Sequence, residues 1–159
     1  MAKQPQTIDQ IINSFKHYGL SDIEHNRDRV IAAFILSICF IDQLASFRYS
    51  LTGLAERWDK FIDNYMPVYS GKKLYVLFRN SLIHNYSSCG KFAISYGEDF
   101  KVEVDEINGI TVINPYLFID NLNKAFIILE QDFINNYDNA GDNAIKRSIK
   151  HPVLVTKNI

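Results

Sequence analysis

Arg79 and His84, within the run Arg79-Asn80-Ser81-Leu82-Ile83-His84-Asn85-Tyr86, are the side chains of this sequence best suited to chemistry on a phosphodiester. A histidine titrates near neutrality, so it can take a proton from a hydroxyl or give one to a departing oxygen. An arginine can hold a charged phosphate through paired donors, and the pair needs no metal. On a helix the two residues lie about 140° apart in angle and about 7.5 Å apart along the axis. They do not stack, but a long arginine can bend into a cleft that the histidine also faces. Asn80 either orients that arginine or a phosphate oxygen, or simply faces solvent. His84 could instead cap or fill a core. Tyr86 shares an angular sector with positions 79 and 82, so it serves either packing or regulation.

A second polar set, Asp42, Gln43, Arg48 and Tyr49, follows a long apolar run. A buried Asp42 needs a partner, for which Arg79 and Arg48 are the candidates, whereas an exposed Asp42 needs none. His17, His25 and His151 have no matching ligand spacing, which argues against zinc. Cys39 and Cys89 form neither a metal nor a redox motif; Cys39, inside the apolar run, reads as a small core residue.

The segment Phe78 to Tyr86 resembles the signature of HEPN domains, an arginine and a histidine separated by four residues of which the first is polar. With Tyr86 two positions after His84 it is also similar to the longer form found in HEPN toxins paired with minimal nucleotidyltransferase antitoxins. The resemblance implies a homodimer in which two motif helices meet and bring two arginines and two histidines into one cleft. It further implies a metal-independent endoribonuclease, with RNA as substrate, no cofactor, and attack by the ribose 2′-hydroxyl. Arg79, His84 and Asn80 would then be catalytic, Asp42 and Arg48 supporting, and Tyr86 the acceptor of adenylyl groups from an antitoxin. Many domains of this kind are instead non-catalytic nucleotide-binding or protein-interaction modules in defence or regulatory complexes, and that is the alternative.

The elements that must position these residues are mainly helical. Thr7 and Gln10 form a capping-box pattern before Ile8, Ile11, Ile12 and Phe15, with Gly19 as a stop. Ser21 and Glu24 repeat the pattern, and an apolar stripe from Ile23 toward Tyr49 predicts a long spine covered on several sides. A third helix is expected over 54–65, ended by Pro67, and a fourth over about 72–86. Alternating residues from Phe92 to Ile113, with Asn108-Gly109 as a turn, predict a small antiparallel hairpin or sheet at about 91–113. Asn114-Pro115 then starts the last long helix, to near Asn136. The expected fold is thus a HEPN-like bundle of about five helices with a β insertion, spanning 1–137. Residues 138–159 read as a polar linker and basic tail, either solvated or a phosphate-contacting arm.

The 159 residues suit one domain, and a net charge of −1 confines any polyanion site to a local patch. The stretch from Val30 to Ile41 is too short to cross a bilayer, and the polar opening residues are unlike a secretory signal, so a cytoplasmic protein without membrane contact is expected.

Overall fold

A computed structural model describes residues 4–50, 53–78, 90, 92–95, 97 and 100–155. The fold is mainly helical, with a small three-stranded mixed sheet.

Helix α1 (Ile8–Ser14) opens on the expected capping box: Thr7 Oγ1 accepts from the Gln10 amide, and Gln10 returns an acceptor to the Thr7 amide. Gly19 is not a stop. The chain widens into a π-helical segment, Phe15–Leu20, and runs directly into α2 (Ser21–His25). The physical reason is a close approach, since a Cβ at Gly19 would collide with the ring of Phe40. Nor does Ser21 cap α2; its hydroxyl lies 3.2 Å from His25 Nδ1 instead.

The expected spine is broken by turns at 26–29, after which α3 (Val30–Arg48) runs for 19 residues. It packs against α2, α4 (Leu54–Tyr65), α5 (Pro115–Ile134) and α6 (Ala140–Lys150), which accounts for its apolar character on several sides. Because α3 continues past Ile41, it is long and apolar enough to span a membrane by length and composition alone. Half of that span is buried within the fold, as in a central core helix. Cys39 departs from expectation: it lies on the exposed face of α3.

Helix α4 has the expected bounds and buries Trp58, Phe61, Ile62 and Tyr65. A 3₁₀ turn (Pro67–Tyr69) follows, and helical backbone begins again over 74–78. Phe78 is fully buried, its ring centroid about 5 Å from those of Phe34 on α3 and Phe92. The remainder of the expected fourth helix lies outside the described residues.

Strands β2 (Val104–Ile107) and β3 (Ile110–Ile113) form the expected hairpin, with Val104 opposite Ile113. Asn108 (φ 53°) and Gly109 (φ 76°) are both left-handed, as a two-residue type I′ turn requires. However, β1 (Phe92–Ile94) pairs parallel to β3, so the sheet is mixed and not antiparallel. Side chains alternate in the same way in both directions, so alternation alone cannot fix strand orientation.

Asn114 caps α5 as expected, its Oδ1 accepting from the amides of Tyr116 and Leu117 at 3.1 and 3.2 Å. The largest departure follows. Instead of a linker and tail, three left-handed residues, Asn136, Asp138 and Asn139, turn the chain into α6, which docks on α1, α3 and α5. Its buried stripe consists of the small residues Ala140, Ala144 and Ser148. Gly141 completes the tight turn, because a Cβ there would lie 2.7 Å from the Phe133 carbonyl oxygen. The termini are tied together: Gln6 donates to the Val153 carbonyl at 2.9 Å and accepts from its amide at 2.7 Å.

Candidate functional site

Arg79, Asn80, His84 and Tyr86 lie outside the described residues, as does Cys89. The last described residue before the motif, Phe78, is held by aromatic contacts to α3, β1 and α5. The two supporting residues, Asp42 and Arg48, are both described and occupy different environments on α3.

Arg48 is buried at the C-terminal end of α3. Its Nε donates to the Tyr65 hydroxyl at 2.7 Å, and that hydroxyl in turn donates to Asp132 at 2.5 Å. Nη1 and Nη2 reach the carbonyl and carboxylate of Asp138 at 3.3 and 3.4 Å. Burial opposes the positive charge, but the Tyr65 hydrogen bond and nearby negative charge outweigh it, leaving the arginine pKa raised. One guanidinium therefore joins α3, α4, α5 and the turn before α6. Of the two candidate partners for Asp42, Arg48 directs these donors to Tyr65 and Asp138, and Arg79 lies outside the described residues. Asp42, half-buried, faces a different part of the surface.

Three adjoining cavities run along the seam between α3, α4 and α6. The first, of about 330 Å³, is bordered by Arg48, Tyr49, Lys60, Asp138 and Lys146. The second, of about 200 Å³, shares Tyr49, Asn143 and Lys146 with it and adds Arg57, Arg147 and Lys150. The third, of about 250 Å³, shares Arg57 and Arg147 with the second and reaches Asp42 and Cys39. Together they form one furrow, with cations outnumbering carboxylates along its length.

Arg57 is buried, and Arg147 is partly so. Arg147 Nε is inaccessible to solvent and makes no hydrogen bond. Burial lowers its pKa, and the neighbouring charge of Arg57 lowers it further. Two guanidiniums thus share one cavity, an arrangement able to receive a phosphate or carboxylate through several N–H donors. The basic residues of the expected tail, Lys146, Arg147 and Lys150, belong to this furrow and not to a free arm. Arg57 was not singled out by sequence reasoning; its spacing to Trp58 and Phe61 marks the helix, but no local pattern joins it to a helix 90 residues away.

Among the described residues no cluster of three or more His, Cys, Asp or Glu is placed to hold a metal ion. The chain matches no family model, and no curated protein or solved structure was found to match it.

Proposed function

We propose that this protein is a metal-independent endoribonuclease of the HEPN type, acting as a homodimer in the cytoplasm. The observation that carries the reading is the complete run Arg79-Asn80-Ser81-Leu82-Ile83-His84-Asn85-Tyr86 in a mainly helical chain. The cation-lined furrow supports it by supplying a local attraction for polyanions that the net charge of −1 does not. In the reaction His84 accepts the proton of a ribose 2′-hydroxyl, whose oxygen attacks the adjacent phosphorus. The bond from phosphorus to the 5′-oxygen breaks, and that oxygen is protonated by the second histidine of the dimer. Arg79 balances the charge that builds on the phosphoryl oxygens.

Purified protein is therefore expected to cut RNA in EDTA, leaving 2′,3′-cyclic phosphate and 5′-hydroxyl ends, and to leave DNA of the same sequence whole. End-group analysis of the fragments checks this. A metal requirement or 5′-phosphate ends would overturn the reading, and RNA bound but never cut would favour a non-catalytic interaction module.

The same proposal gives Tyr86 a regulatory role. Its hydroxyl oxygen would attack the α-phosphorus of ATP held by a nucleotidyltransferase antitoxin, releasing pyrophosphate and leaving an adenylate two residues from His84. The added negative charge would repel RNA and silence cleavage. Co-expression with such a transferase should add the mass of one adenylate to the wild-type chain and none to Tyr86→Phe. An unmodified wild type beside a transferase shown to be active would leave Tyr86 as a packing residue.

A further inference from the structure

A further cavity, of about 540 Å³, shares no residue with the furrow and falls in the size range of small-molecule sites. One wall is a helix face on α1 and its π-helical continuation: Gln10, Asn13 and Ser14 stand three and four residues apart, and His17 follows. Another wall is aliphatic, made by Leu154 and Val155 in the extended segment after α6. That segment is tied down beside α1, because Gln6 bonds Ser148 through its amide and both backbone groups of Val153 through its side chain. Ser14 is the deciding residue. It is only 7% exposed, yet its hydroxyl makes no hydrogen bond within the fold, and the cavity is the space it borders. Ser37, buried in α3, shows the ordinary solution, donating to the Ala33 carbonyl one turn back at 2.8 Å. A hydroxyl held in a nearly buried position without a partner is costly until something entering the cavity satisfies it.

The capacity left unspent on the polar wall is a mixture of donors and acceptors. Asn13 keeps both ends of its carboxamide, while Gln10 has committed its oxygen to the Thr7 amide at 3.0 Å and keeps its N–H donors. The His17 ring touches Tyr18 edge-on, with centroids 4.7 Å apart, and both its nitrogens lack a partner in the fold. Lys16 is already spent on Glu130 at 2.7 Å, and no carboxylate borders the cavity among the described residues. Such walls suit a neutral, planar ligand whose edge alternates donors and acceptors and whose face is apolar, which is the chemistry of a nucleobase. An intact carboxamide pairs in two places with N6 and N7 of adenine.

We propose that this cavity binds an adenine base, with Asn13 pairing to N6 and N7, the Ser14 hydroxyl adding a further hydrogen bond, and Leu154 and Val155 covering a face of the ring. A base of an RNA strand and free adenosine share this chemistry. The strand is the source expected of a ribonuclease, and that choice rests on the function proposed above.

The test uses full-length protein with His84→Ala, so that RNA stays intact, in calorimetric titrations with adenosine, inosine and a short oligoadenylate. Inosine carries an oxygen in place of the N6 amino group, which turns a donor into an acceptor and breaks the two-point pairing. Adenosine should bind about tenfold tighter than inosine, and Asn13→Ala, at an exposed position, should weaken adenosine about tenfold and erase that preference. Ser14→Ala should weaken both nucleosides without lowering the melting temperature, because the hydroxyl it removes has no partner in the fold. Oligoadenylate bound more tightly than adenosine assigns the site to a strand, and oligoadenylate bound equally or more weakly assigns it to the free nucleoside. Absence of binding by every probe, equal affinity for adenosine and inosine, or an Asn13→Ala variant that binds as before would overturn the proposal. Failure of the two ideas is separable. If wild type never cuts RNA but Asn13→Ala still loses adenosine, the enzyme reading falls and the base site stands. If wild type cuts RNA and Asn13→Ala binds as before, the site falls alone.

Discussion

His84→Ala should lower the rate of RNA cleavage by about 10²–10⁴-fold, the usual contribution of a positioned general acid or base. Arg79→Ala should lower it by about 10²–10³-fold through loss of charge stabilisation in the transition state. Both losses should fall mainly on kcat, because each group acts on the reacting phosphate in the transition state and not on remote binding. Thermal melting distinguishes this from a packing role. A core histidine replaced by alanine leaves a cavity and unpartnered neighbours, whereas a cleft histidine leaves neither. The expected result is near-total loss of cutting with helical signal and melting temperature unchanged. Cutting retained by either variant, or activity and melting temperature lost together, would remove Arg79 and His84 from the chemistry.

Much of the helical framework was legible because large apolar residues recur at helical spacing. α4, with Trp58, Phe61, Ile62 and Tyr65, and α5, with Phe118, Leu122, Phe126 and Phe133, are such cases. The Asn108-Gly109 turn was legible for a different reason, since few other residue pairs accept two successive left-handed conformations. What escaped is what local pattern does not encode. α6 presents alanine, alanine and serine to the core, a stripe too small to register as hydrophobic periodicity, and its cations therefore read as a tail. Gly19 read as a stop because glycine usually ends helices, while here its missing side chain admits Phe40.

The same limit applies to the site. The Arg79 to Tyr86 motif is contiguous and so was visible in the sequence, whereas the furrow joins Arg57 to Arg147 across 90 positions and emerges only when α4 and α6 are brought together. Arg48 shows the converse. Its type and place made it one of two candidate partners for a buried Asp42, while the neighbours that take the donors described above, Tyr65 and Asp138, come from distant segments.

Stability should fall steeply as pH rises above the ordinary tyrosine range of about 10. Tyr65 and Tyr69 are both buried and both have raised pKa values. For Tyr65 the main cause is burial, followed by the hydrogen bond its hydroxyl donates to Asp132, with Arg48 acting the other way. For Tyr69 burial again leads, and Glu103 and Asp120 add to it against the hydrogen bond from Asn121. The sign follows from proton counting. Below about pH 10 folded and unfolded chains both carry these protons, so their contribution to stability is fully present. Above it the unfolded chain releases them while the folded chain keeps them, and unfolding is favoured by about 1.4 kcal/mol per pH unit for each tyrosine. The pair together should approach about 3 kcal/mol per unit, large against the roughly 5–15 kcal/mol total of an ordinary domain. Denaturant titrations between about pH 9 and about pH 11 measure the slope directly. Tyr69→Phe removes one of the two protons at the cost of a single long hydrogen bond, 3.4 Å to Asn121, so its stability should decline with pH about half as steeply. A wild type whose stability stays level through that range, or a Tyr69→Phe variant with the wild-type slope, would show that these hydroxyls ionise as readily in the folded chain as in water.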